Sequence, residues 1–196
     1  MLDETSNFEG TEERLSDLSL RLKKEFPEYS EISIRVIDGV KIVTTDEVSE
    51  EILQQMATLY HQKPREANNC FSVSDFVHGE DSSFDSIHSE VGGHIVGGPH
   101  AIDFGNNLLV DLNFGDEFRG PNILVLPMPK TSLEPTLNDY LNIANNFYGG
   151  NWSYLGREGY LKKLKILQQE RERRNNKEVP PKTSFLRRFL RSRKQN

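Results

Sequence analysis

The chain reads as an α+β protein: one domain on a mainly antiparallel sheet, with an N-terminal helix, a β-hairpin, C-terminal helices and a basic tail. Three observations lead there. Apolar residues recur at helical spacing near both ends, two alternating runs flank an Asp-Gly pair, and short apolar runs bounded by Asn, Gly and Pro fill the middle. The order is helix, hairpin, helix, strands, helix, helix, not the repeated βαβ alternation of a parallel sheet.

Residues 1–10 are polar and acidic, and the sequence predicts disorder there. From Thr11, a suitable N-cap, Leu15, Leu18, Leu22 and Phe26 follow at spacings of three and four. Pro27 ends that helix, because the residue before a proline is pushed out of the α region. Ile32, Ile34 and Val36 then alternate with polar residues up to Asp38-Gly39, and Val40 and Ile42 alternate beyond it. Asp-Gly between two such runs predicts a type I′ hairpin, whose two turn residues both need positive φ. A second helix is expected near Ser49, with Ile52, Leu53, Met56 and Tyr60 on one face.

Cys70 to Val73 suits a strand, and the Ser, Asp and Glu content of Ser74 to Glu90 predicts an exposed, mobile loop. Leu108–Leu112 and Ile123–Leu126 suit sheet strands. Leu133, Leu137, Leu141 and Ala144 return to helical spacing, with Pro135 in the first turn and Gly149-Gly150 as the stop. A last helix from about Arg157 carries Tyr160, Leu161, Leu164 and Leu167. The globular part is therefore expected over residues 11–174 and the tail over 175–196.

Charge is divided unevenly. Met1 to Gly156 carries 10 Lys and Arg against 26 Asp and Glu, whereas Arg157 to Asn196 carries 14 against 4. An acidic body is repelled by an anionic surface while a basic tail is drawn to it, so this pattern speaks of partners. Within Lys182 to Asn196, Phe185, Leu186, Phe189 and Leu190 form an apolar stripe among Arg187, Arg188, Arg191, Arg193 and Lys194. That is a short basic amphipathic helix, suited to an anionic membrane surface or a protein groove, each cation near lipid adding about 1 kcal/mol. Nucleic acid would use the same cations but not the paired Phe and Leu. The tail could also fold back onto the acidic body. The one cysteine, Cys70, and the lack of any apolar run near the ~20 residues of a membrane span point to a cytoplasmic protein, peripheral at a membrane if the tail binds lipid.

His88, His94 and His100 are spaced by six in a Gly-rich segment, with Asp103 just beyond. Neutral imidazoles and a carboxylate suit a divalent transition metal such as Zn or Fe, although the spacing matches no clamp known for one ion. His94 or His100 could instead act as a general base oriented by Asp103. The missing part is then a nucleophile: no Gly-x-Ser-x-Gly elbow frames Ser86 or Ser89. Cys70 with a histidine would make a thiol catalyst in principle, but its apolar setting reads as a small buried residue in a strand. No phosphate-binding glycine motif occurs. Asp103, Asp111, Asp116 and Glu117 read as solvated turn residues, and Phe147, Tyr148, Trp152 and Tyr154 as core contacts rather than a ligand platform. The sequence thus favours a non-enzymatic interaction or accessory protein recruited by its tail. Its competitors are a metal-dependent hydrolase using His88, His94, His100 and Asp103, and an accessory protein of nucleic acid.

Overall fold

The computed structural model describes residues 20, 23, 24, 27, 29, 31–63, 70–90, 99–114, 123–129 and 135–177. The expected stripe Leu15, Leu18, Leu22 and Phe26, His94, and the tail beyond residue 177 lie outside the described residues. Two compact units divide the chain, Met1–Arg157 and Glu158–Asn196.

The first unit is α+β, on a mixed seven-stranded sheet. Its strands are β1 (Ile32–Ile37), β2 (Val40–Thr45), β3 (Asp85–Ser89), β4 (His100–Gly105), β5 (Leu108–Asp111), β6 (Ile123–Pro127) and β7 (Trp152–Tyr154). They lie in the order β1-β2-β6-β5-β4-β3-β7. Every pairing is antiparallel except β2 with β6. Helix α1 (Glu50–Gln62), α2 (Cys70–Glu80) and α3 (Leu137–Tyr148) pack on this sheet. Helix α4 (Gly156–Lys177) supplies the described part of the second unit.

The alternation of side chains along the strands divides the core in two. Ile87, Ile102, Leu109, Leu124 and Leu126 meet Tyr140, Ile143, Ala144, Phe147 and Tyr148 of α3 on one face. Val40, Ile42, Val110, Ile123 and Val125 meet Leu53, Met56 and Ala57 of α1 and Val73 and Val77 of α2 on the other. The sheet therefore has helices on both faces, and its central strands β5 and β6 are buried almost throughout.

The hairpin forms as the sequence predicts. Asp38 and Gly39 take φ of 48° and 78°, and Ile37 pairs with Val40 across a two-residue turn. The alternation in β1 is only partly realised: Ile32 and Ile37 are buried, whereas Val36 is 63% exposed on this edge strand. Helix α1 is capped by Ser49, whose Oγ accepts from the Ile52 amide.

Two expectations fail in the middle of the chain. Cys70 to Val73 is the first turn of α2, not a strand, and Ser74 to Glu90 holds the rest of that helix, a short turn and β3, not one exposed loop. Phe71, Val73, Ser74 and Val77 are buried at helical spacing, with polar residues between them that mimic a loop composition. In β3, Ser86, His88 and Ser89 are buried. The Ser86 hydroxyl donates to Asp103 at 2.9 Å, which offsets the cost of placing it in the core. Pro135 also lies outside its helix: Thr136 is the N-cap, and the Asp139 carboxylate accepts from both the Thr136 amide and hydroxyl.

Candidate functional site

Three element ends meet at one place in the first unit. Cys70 opens α2, His100 opens β4 and Asp111 closes β5. The Cys70 sulfur accepts from the Ala101 amide at 3.2 Å, lies 3.9 Å from the Pro99 carbonyl oxygen, and is in hydrogen-bonding reach of the His100 side chain. Cys70 is a free thiol of intermediate exposure. On its other side His100 places Nε2 2.8 Å from Asp111 Oδ2, with both side chains almost fully buried.

Asp111 is held from three directions. Oδ2 also accepts from the Tyr148 hydroxyl at 2.7 Å, and Oδ1 accepts from the Asn113 amide at 2.9 Å. Trp152 stands edge-on to the His100 ring at 6.0 Å, and Tyr148 lies 5.8 Å from it. Trp152 is itself fixed, since Nε1 donates to the Gly149 carbonyl and its amide donates to Asn145 Oδ1, both at 3.0 Å. Gly149 and Gly150 take φ of 75° and 87°, which turns the chain from α3 into β7 and brings Trp152 over the ring.

The electrostatics follow from burial and pairing. Burial by itself disfavours a charged imidazole, but the charge and hydrogen bond of Asp111, helped by Cys70, outweigh it and raise His100 to about 11. The ring is thus an imidazolium at neutral pH. Burial also pushes Asp103 up to about 7, against the opposing hydrogen bonds of Ser74 and Ser86. Burial first, then the Asp111 charge, keeps the Tyr148 phenol protonated and hence a donor.

Of the expected metal ligands, the two described histidines, His88 and His100, do not converge. In the β3–β4 register His88 sits opposite Ala101 and His100 opposite Ser89, so the two imidazoles occupy opposite faces of the sheet. His88 packs on Phe71 of α2 with Nε2 3.3 Å from Ser153 Oγ, while His100 packs on Tyr148 and Trp152. Even spacing in sequence does not place these two histidines on one side of an extended chain, because β3 and β4 are separate strands running in opposite directions. Asp103 shares a face with His88 but is bonded to Ser86. Among the described residues no group of three or more His, Cys, Asp or Glu is placed to hold a metal ion.

Sequence reasoning weighed Cys70 with a histidine and set the pair aside, and it overlooked Asp111 as a partner of His100. Asp111 is no solvated turn residue: it is 1% exposed. A signal was available, since a lone cysteine followed by histidine and aspartate at a distance is the pattern of a thiol catalyst. The pattern was set aside because Cys70 read as a small buried residue in a strand, whereas it opens a helix. Comparison with protein-family models, with curated proteins and with solved structures gives no match to this chain.

Proposed function

We propose that the first unit is a thiol-dependent acyl-transfer enzyme or hydrolase, with Cys70 as nucleophile, His100 as acid–base and Asp111 as its orienting carboxylate. The observation that supports this reading is the convergence of Cys70, His100 and Asp111 at three element ends, with the sulfur half-exposed and the His–Asp pair buried behind it. This is the order nucleophile, base, orienter that covalent catalysis requires. Asp111 occupies Nε2, so Nδ1 is the ring nitrogen that this reading assigns to the thiol proton.

In the reaction, the thiol proton resides on His100 when the sulfur attacks an acyl carbon. A C–S bond forms, and the leaving amine or alcohol departs with the proton from the imidazolium. Water then attacks the thioester, giving a proton to His100, and the acid leaves as the sulfur is released. An amine in place of water would make the same step a transfer. The Ala101 amide, 3.2 Å from the sulfur, and the imidazolium balance the negative charge that the sulfur carries before attack and on release.

The divided charge supports a second element of the reading. The basic tail recruits this unit to an anionic membrane surface or a partner groove through Phe185, Arg187, Arg188, Phe189, Arg191, Arg193 and Lys194. Recruitment and catalysis are compatible, so the geometry favours an enzyme where the sequence favoured an accessory protein.

Because Cys70 is the one cysteine in the chain, intact mass reads its chemistry directly. The test is alkylation by iodoacetamide, and acylation by an activated ester, of the wild-type chain and of His100→Gln and Cys70→Ser. A thioester adduct absent from Cys70→Ser, and slowed by about 100-fold in His100→Gln, is the expected result. Equal rates in wild type and His100→Gln would overturn the reading.

A further inference from the structure

We propose that Tyr148 is a positioning residue for the thiol centre: its hydroxyl, seated on the same Asp111 oxygen that faces His100, fixes the carboxylate and through it the imidazole against Cys70. The inference rests on the thiol-dependent reading above and assigns a further residue to that site.

The hydroxyl is the informative atom. A phenylalanine would fill the same core space at the end of α3, among Phe147, Phe114 and Trp152, whose rings lie 5.0, 6.3 and 5.2 Å from that of Tyr148. A tyrosine there brings a polar group into the core, which is tolerated only with a partner. That partner is Asp111, at 2.7 Å, on the oxygen that also lies 2.8 Å from His100 Nε2. With the Asn113 amide on the second oxygen, donors stand at both ends of the carboxylate and hold its plane. The surrounding rings hold the phenol in turn. Without the phenol the buried carboxylate loses one of the contacts that decide which way it points. The charged and titratable groups around it are His100, Cys70 and, through the sheet, Asp103.

Tyr148 reaches neither the sulfur nor any acyl group in this role, so its effect passes through Asp111. Removing the hydroxyl gives the carboxylate one donor fewer, and the remaining bond to His100 tightens while the ring is less well aimed. Two readouts follow that a packing role would not move. The His100 Nε2–H proton resonance shifts downfield in Tyr148→Phe, and Cys70 alkylation by iodoacetamide slows by about tenfold, the loss of one charge-assisted hydrogen bond. Site-specific 3-fluorotyrosine at position 148 keeps the shape and strengthens the donor, so it shifts the resonance upfield.

The experiment uses the full chain, with His100→Gln alongside. If His100→Gln alkylates as fast as wild type, the thiol-centre reading itself fails. If His100→Gln is slow but Tyr148→Phe leaves both the rate and the resonance at their wild-type values, Tyr148 only packs and the proposal is overturned. Should Tyr148→Phe fail to fold, the fluorotyrosine resonance decides alone: an upfield shift supports the proposal and an unmoved resonance overturns it.

Discussion

His100 and Asp103 are three positions apart along one strand, yet their surroundings give them opposite behaviour. His100 faces a carboxylate at 2.8 Å and is raised to about 11, from a value of 6.5 when free. A histidine raised in the folded state stabilises fully below its unfolded value and loses that contribution as pH rises towards the folded one. Thermal unfolding measured from neutral pH to about pH 10 should therefore fall more steeply for the wild type than for His100→Gln. Asp111→Asn leaves the buried imidazolium without its counter-charge, and a loss of about 3–5 kcal/mol in urea unfolding is expected. Asp103 is raised from 3.8 to about 7 by burial. Its folded form holds the proton more tightly than the unfolded chain, so the fold loses stability as pH rises from the unfolded value towards the folded one. Asp103→Asn removes that loss, and its melting temperature relative to wild type should rise across this interval. A constant difference would mean that Asp103 does not titrate as described.

At the scale of elements, the hairpin, α1, β5 and β6 were legible because each carries its own signal. Asp38-Gly39 needs no distant partner to turn, and Ser49 caps its helix from three residues away. Helix α2 and strand β3 were not legible. Their polar residues looked solvated, whereas Ser86 and Asp103 bond to each other across strands 17 residues apart in sequence. Short-range composition cannot report a partner at that distance. The cap of α3 belongs to this scale too. Hydrogen bonds from the Thr136 amide and then its hydroxyl hold Asp139 below the usual carboxylate range. Asp139→Ala should cost about 1 kcal/mol in chemical unfolding at neutral pH, and less as the carboxylate protonates in acid. Gly105 is a further constraint, because a Cβ there would run into the Ser83 carbonyl oxygen where the α2–β3 turn crosses β4. Gly105→Ala should therefore destabilise the unit by more than the usual surface change, measurable as a lower urea midpoint.

For the whole molecule, the division between an acidic body and a basic extension sets the expectation for recruitment. Ending the chain at Pro181 removes six Lys and Arg and no acidic residue. Co-sedimentation with vesicles containing anionic lipid should then drop to the level seen with neutral vesicles, while Cys70 alkylation is unchanged. Retained binding by the shortened chain would place recruitment elsewhere. High salt should weaken the full-length interaction, since the Debye length falls from about 10 Å at 0.1 M to about 3 Å at 1 M.

The sequence by itself determined the α+β class, the hairpin, the helices α1, α3 and α4 and the split of charge, all features written in neighbouring residues or in composition. The tertiary structure decided which polar residues form a site. Cys70, His100 and Asp111 are ordinary residues at distant positions, and their chemistry arises only when a helix start and two strand ends meet. It likewise decided that His88 and His100 part company, because strand pairing, not spacing along the chain, fixes which face a side chain takes.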